Sequence, residues 1–342
     1  MRKEPRAANS EVKSPAAPPP ERGDAQRSHD RSVLPGSLPG LLERAWSISR
    51  ASHGWLLTAH VPGMFVVDGR RGKYRAVSIT GDTCALNCEH CKGSLLKTMA
   101  HALDAEALMK LGREASARGD RGILVTGGCD ELGRLPWNEF ISAIETLKAE
   151  TDLAISVHSG QIDLSTARGL KAAGVDQVLV DVIGDDRTAR EVYHLPKGAA
   201  TVRQTLDALT EVDLEIVPHI VFGIHYGRPR GEQAALELLK NYPVKQYVVV
   251  VLMPAKGTPM EGVHAPAAEQ VAAFLARARF ELPGLHAGLG CARPRGKYRR
   301  ELDVLAVRAG INSVALPSDQ CLEEARSRGL AISFRETCCS VV

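Results

Sequence analysis

After residue 73 the chain alternates between two kinds of segment, and this alternation leaves few folds open to it. Short apolar runs, most of them β-branched, stand at 75–80, 123–126, 153–157, 175–182, 216–221, 246–252, 285–289 and 311–316. Stretches with helical spacing fill the intervals at 103–118, 136–149, 163–173, 200–211, 231–241, 266–279 and 297–309. In the first of these, Leu103, Ala107, Leu108 and Leu111 share one face. Eight runs separated by helices predict an α/β fold, a (β/α)8 TIM-type barrel that is full or nearly full. The competing reading is a partial barrel of six strands with a separate C-terminal piece. Residues 41–73 are expected to form a covering segment at one end, and 74–342 the barrel with a cysteine-bearing C-terminal extension. A last run, 330–336, leads to Cys338 and Cys339 and has no assigned place.

Residues 1–40 read as a disordered tail. Pro15, Pro18, Pro19, Pro20, Pro35 and Pro39 lie there among charges, and too little apolar surface is present to order the segment. It holds no apolar core of a secretory signal, and no later stretch approaches 18 apolar residues, so no membrane span is expected. A net charge of +3 is too small to argue for a nucleic-acid partner. Together these features predict a cytoplasmic protein, in a compartment where thiols stay reduced.

In barrels of this kind, functional groups stand on the loops that follow the strands. The loop after the first run reads Cys84-Ala-Leu-Asn-Cys88-Glu-His-Cys91. Three thiolates at this spacing can sit on one tight loop and hold three irons of a [4Fe-4S] cluster, leaving the fourth iron open. A Cys3His zinc knuckle would use the same residue types, with His90 as a ligand. Zinc elements usually come in pairs, however, and no second half stands nearby. Eight cysteines in 342 residues do not read as a disulfide scaffold.

The motif and its flanks, from Val77 to Gly93, resemble the radical S-adenosylmethionine (SAM) superfamily, in its biotin-synthase-related branch. More narrowly, they are similar to a subunit of the archaeal-type two-component lipoyl synthase, and the Cys291-Ala-Arg-Pro-Arg-Gly element adds to that likeness. The resemblance implies a [4Fe-4S] cluster on Cys84, Cys88 and Cys91 as the catalytic centre. SAM would chelate the open iron, and an electron from a low-potential donor would cleave it to a 5′-deoxyadenosyl radical that removes hydrogen from an unactivated carbon. For a lipoyl synthase the reaction is sulfur insertion into an octanoyl chain on a lipoyl carrier protein, with a homologous radical SAM subunit as partner.

His90 takes a position commonly aromatic in the superfamily, near the adenine. Gly127-Gly128-Cys129-Asp130-Glu131 follows the second run, where the superfamily carries a Gly-Gly-Glu-like element that meets the SAM amino group. Backbone carbonyls, Asp130 and Glu131 all remain open for that role, as does a mere turn. Ser156, His158 and Asp181, at the ends of the third and fourth runs, are further candidates for contact with SAM or substrate. Cys129, Cys291, Cys338 and Cys339 are candidate ligands of an auxiliary iron-sulfur cluster, which in a sulfur-inserting member would supply the sulfur. The alternative is that they are small buried hydrophobes, which suits Cys321 best. The basic stretch 293–300 is either a contact for an acidic carrier or a solvated loop.

Overall fold

A computed structural model describes residues 36–63 and 65–341, so most of the expected tail lies outside the described residues. The chain forms strand β1 (Leu56–His60), a small antiparallel hairpin β2 (Val66–Val67) and β3 (Arg70–Arg71), then β4 (Tyr74–Ser78) and β5 (Ala100–His101). The wall continues with β6 (Gly122–Thr126), β7 (Ala154–His158), β8 (Gln177–Asp181), β9 (Ile216–Phe222), β10 (Gln246–Val251), β11 (His286–Leu289), β12 (Ser313–Ala315) and β13 (Ala331–Arg335). Helices α1 (Leu38–His53), α2 (Ala105–Ala117), α3 (Ile141–Glu150), α4 (Leu164–Ala172) and α5 (Asp186–Glu191) occupy the first half. They are followed by α6 (Ala200–Glu211), α7 (Glu232–Leu239), α8 (Ala268–Glu281), α9 (Lys297–Arg308) and α10 (Asp319–Ser327).

Among the described residues, eleven strands make one curled parallel sheet, a half-barrel in the order β13-β1-β12-β11-β10-β9-β8-β7-β6-β4-β5. The eight runs expected from the sequence are the consecutive strands β4 and β6 to β12. β11 and β12 continue the same sheet, so the reading with a separate C-terminal piece does not hold. The ladder stays open between β5 and β13 among the described residues. The opening is bridged where Lys73 N donates to Glu336 O (2.8 Å) and the two side chains pair at 2.9 Å.

Residues 41–73 do more than cover an end. α1 is capped by the Ser37 hydroxyl, which accepts from Gly40 N, and stops at Gly54, whose φ of 68° suits glycine. It buries Leu42, Ala45 and Trp46, and Ser49 Oγ donates to Gly310 O (2.6 Å). β1 then enters the sheet between β12 and β13 and gives the run at 330–336 its place as an edge strand. The run at 56–60, Leu-Leu-Thr-Ala-His, holds a single β-branched residue, Thr58, so it lacks the signal that marks the other strands.

Period-two alternation sorts the wall's side chains. Val178, Val180, Val249 and Val251 join the main core with the helices. Leu179, Val217, Val248, Val250 and Ala315 form a second apolar cluster on the inner face, together with Cys339. The tail after β13 turns into this lumen. There Gln177 Nε2 donates to Ser340 Oγ and Gln246 Nε2 to Ser340 O, both at 2.8 Å. Burying a polar tail is costly unless its groups are paired, and these two glutamines pair it. Among the described residues, no helix is long and apolar enough to cross a membrane.

Candidate active site at the barrel mouth

β4 ends at Ser78, whose hydroxyl donates to Gly81 O (2.7 Å) and turns the chain into the cysteine loop. The loop is held from two sides. On one, Ala85 N donates to Cys129 O (2.7 Å) and Gly128 N to Thr80 Oγ1 (2.6 Å). On the other, Glu89 N donates to Val192 O (2.9 Å) and His194 Nδ1 to Leu86 O (2.7 Å). Glu89 also pairs with Lys92 (2.9 Å) and His194 Nε2 (3.1 Å). Asn87 and Lys92 take left-handed φ values of 47° and 46°, which is how eight residues double back tightly enough to gather three thiols.

Cys84, Cys88 and Cys91 line one cavity of about 200 Å³. Cys88 and Cys91 are hydrogen-bonded to each other, which holds Cys91 well below the ordinary thiol range, assisted by His90, and drives Cys88 up. A thiolate in this position is the form that binds metal. No three His, Cys, Asp or Glu side chains among the described residues converge on a single ion. A cubane asks for no such point, because each thiolate meets a different iron. The donor set therefore fits a [4Fe-4S] cluster held by three cysteines.

The other candidates divide. Gly127 and Gly128 line the cavity, and Gly128 has no room for a side chain: a Cβ there would lie 2.0 Å from Thr83 O and 2.6 Å from Cys84 Cβ. Asp130 is spent on its own turn, accepting from Leu132 N and Arg134 N at 2.9 Å and from Arg134 Nε at 3.0 Å. Glu131 is exposed, and neither acid lines the cavity. Ser156 is a correction to the sequence reading. It is fully buried, outside the cavity lining, and tied to the Tyr74 hydroxyl (2.5 Å) and Gln177 Nε2 (2.7 Å). His158 and Asp181 do line the cavity, paired at 3.4 Å. Burial opposes both charges, yet the pair prevails, holding His158 above and Asp181 below their ordinary values. His219 stacks at 5.9 Å from His158, and burial with that neighbouring charge pulls it down to about 4.

Sequence reasoning missed Tyr193. It lines the cavity, and its ring packs 5.3 Å from His90, so the two form one aromatic wall. Its carbonyl lies 3.6 Å from Cys88 Sγ. With aromatics only 4% of the chain, a Tyr-His pair in a polar loop was the available signal.

The four remaining cysteine candidates also divide. Cys129 lines the mouth cavity, and its N–H donates to Cys84 Sγ (3.4 Å), so it stands with the first group. Cys291, Cys338 and Cys339 meet in the lumen. The Cys339 thiol is hydrogen-bonded to both of the others, which lowers Cys291 and Cys338 and raises Cys339 itself. Arg293 fixes this end of β11. Its guanidinium is fully buried against the equally buried Asp303 (2.8 Å) and donates to Gly290 O (2.6 Å) and Ala315 O (2.8 Å). Cys321 is a buried hydrophobe in α10.

Residues 78–242, from the end of β4 to just past α7, match the radical SAM superfamily. This stretch is a radical SAM superfamily domain. It holds the three-thiol loop, the paired glycines and the His158–Asp181 pair, and the family implies a [4Fe-4S] cluster and SAM at the mouth. The chain is 25% identical over 211 residues to biotin synthase of Clostridioides difficile (strain 630), covering 59% of this chain and 63% of that protein. It is 26% identical over 213 residues to biotin synthase of Acetivibrio thermocellus, covering 59% and 64%. The chain thus spans somewhat under two thirds of those relatives. In fold it is similar to methylornithine synthase (TM-score 0.62, 14% identity, 87% of this chain and 90% of that one). It is equally similar to the FeFe-hydrogenase maturase HydG from Carboxydothermus hydrogenoformans (TM-score 0.62, 16% identity, 87% and 72%).

Proposed function

We propose that this chain is a cytoplasmic radical SAM enzyme that inserts sulfur into the octanoyl chain of a lipoyl carrier protein, as a lipoyl synthase subunit working with a homologous radical SAM subunit. The observation that carries this reading is the second cysteine group. Cys291, Cys338 and Cys339 meet inside the barrel, on an inner face of Leu179, Val217, Val248 and Val250. The lowered thiols of Cys291 and Cys338 in an aliphatic lumen suit an auxiliary iron-sulfur cluster beside a saturated chain. Gln177 and Gln246 are already spent on the tail, so the rest of that face suits an apolar chain better than a polar substrate.

When bound, the mouth cluster and SAM, supplied with an electron from a low-potential donor, furnish a 5′-deoxyadenosyl radical strong enough to take hydrogen from an unactivated carbon. The chain's own residues do the rest. Cys84, Cys88 and Cys91 would hold three irons. Gly127 and Gly128 let backbone approach the methionyl group, and the His90–Tyr193 wall offers a face to the adenine. The His158–Asp181 pair, which lines the same cavity, would offer charged partners to the ribose hydroxyls. Leu86, Leu96, Leu135 and Ile183 line the same cavity and keep water from the radical.

The likeness to biotin synthases favours a second reading, in which the substrate is a small molecule of that enzyme's kind. Mass spectrometry separates the two. The chain is incubated anaerobically with SAM, reductant and an octanoyl-lysyl carrier peptide, with and without a homologous subunit. Added sulfur on the peptide is the expected result; SAM cleavage with an unchanged peptide would transfer support to the second reading.

A further inference from the structure

The segment 127–131 stands where the superfamily carries its Gly-Gly-Glu-like element, and its polar groups are nearly all committed elsewhere. Asp130 closes its own turn, Glu131 faces solvent, and the Cys129 carbonyl accepts from Ala85 N. What this segment offers the cavity is the Cys129 thiol. Its sulfur has no hydrogen-bond partner among the described residues. Its backbone N–H donates to Cys84 Sγ at 3.4 Å, which places it beside the three-thiol loop. Room for it is kept by Gly160, where a Cβ would stand 3.3 Å from Cys129 Sγ. Four cysteines therefore line one cavity, although a SAM-binding cubane needs three.

We propose that Cys129 is the fourth thiolate of the mouth cluster while SAM is absent, and that it gives up this place when SAM binds. The inference rests on the radical SAM reading above and adds a resting state to it. The exchange balances. Cys129 releases the fourth iron as the SAM amine and carboxylate bind it. The amine arrives as an ammonium and must lose one proton to bind iron, and the departing thiolate takes that proton. No electron moves. The purpose is protection: a fully thiolate-bound cube resists loss of its fourth iron, whereas an open corner sheds it on oxidation.

The test compares the anaerobically reconstituted full chain with its Cys129→Ala and Cys129→Ser variants. Without SAM, each is mildly oxidised with ferricyanide, and the three-iron cluster is counted by electron paramagnetic resonance. Severalfold more of that signal is expected in Cys129→Ala than in the wild type, with Cys129→Ser between them. SAM binding by equilibrium dialysis is expected to tighten about tenfold in Cys129→Ala, because the competing ligand is gone. Equal iron loss and equal SAM affinity in all three proteins overturn the proposal. If Cys129→Ala takes up no iron, the Cys129→Ser and wild-type pair carries the same comparison. A wild type that assembles no cluster instead sinks the radical SAM reading beneath it.

Discussion

The mouth and the lumen of this half-barrel each gather cysteines, by opposite routes. At the mouth, Cys84, Cys88 and Cys91 lie within eight residues, and local turns bring them together. In the lumen, Cys291 meets Cys338 and Cys339 only because β1 and β13 join the sheet and the tail folds back inside. The first group is built by the loop itself. The second depends on the whole barrel, and its thiols are hydrogen-bonded to one another.

Substitutions can break this contrast, and the largest effect belongs to the mouth. Cys84→Ala, Cys88→Ala or Cys91→Ala is expected to abolish reductive cleavage of SAM, followed as 5′-deoxyadenosine by chromatography. Cleavage surviving in all three would remove the mouth from the chemistry. Next, Cys291→Ala or Cys339→Ala should leave cleavage intact, stop sulfur insertion, and lower bound iron from about eight to about four per chain. Unchanged iron and product would make the lumen thiols plain core residues.

Third, Arg293→Ala should destabilise the fold by about 3–5 kcal/mol, because Asp303 is left buried and unpaired. Urea unfolding measures this, and a loss under 1 kcal/mol would show that the buried pair does not hold the lumen wall. The smallest effect concerns pH. His158 is raised, so its share of stability is full below the ordinary histidine range and fades as pH rises through the raised value. Asp181 is lowered, so its share is present above the ordinary aspartate range and fades as pH falls through the lowered value. Asp181→Asn should flatten the alkaline decline of the urea midpoint; an unaltered profile would contradict the pairing.

The same contrast explains what was legible in the sequence. Strands β4, β6 to β10 and β12 announced themselves because parallel strands buried on both faces read as β-branched runs, and β11 followed from its place between two helical stretches. β1 escaped because its five residues hold a single β-branched side chain, Thr58. The cysteine loop was legible because its chemistry is written in its spacing. Ser156, Asp130 and Glu131 were plausible by position, but side-chain direction and competing hydrogen bonds decide such roles. Tyr193 was hidden for the converse reason: a loop after β8 staples the cysteine loop through His194, a contact joining residues about 108 apart. The basic stretch 293–300 lost its first member to the interior, where Arg293 binds Asp303.

The central claim is that two cysteine groups on one chain hold iron independently. Mössbauer spectroscopy of the Cys84→Ala/Cys88→Ala/Cys91→Ala triple variant, reconstituted anaerobically, addresses it most directly. The account predicts an iron-sulfur signal that persists at the lumen and disappears when Cys339→Ala is added. An iron-free triple variant that is still folded would contradict it.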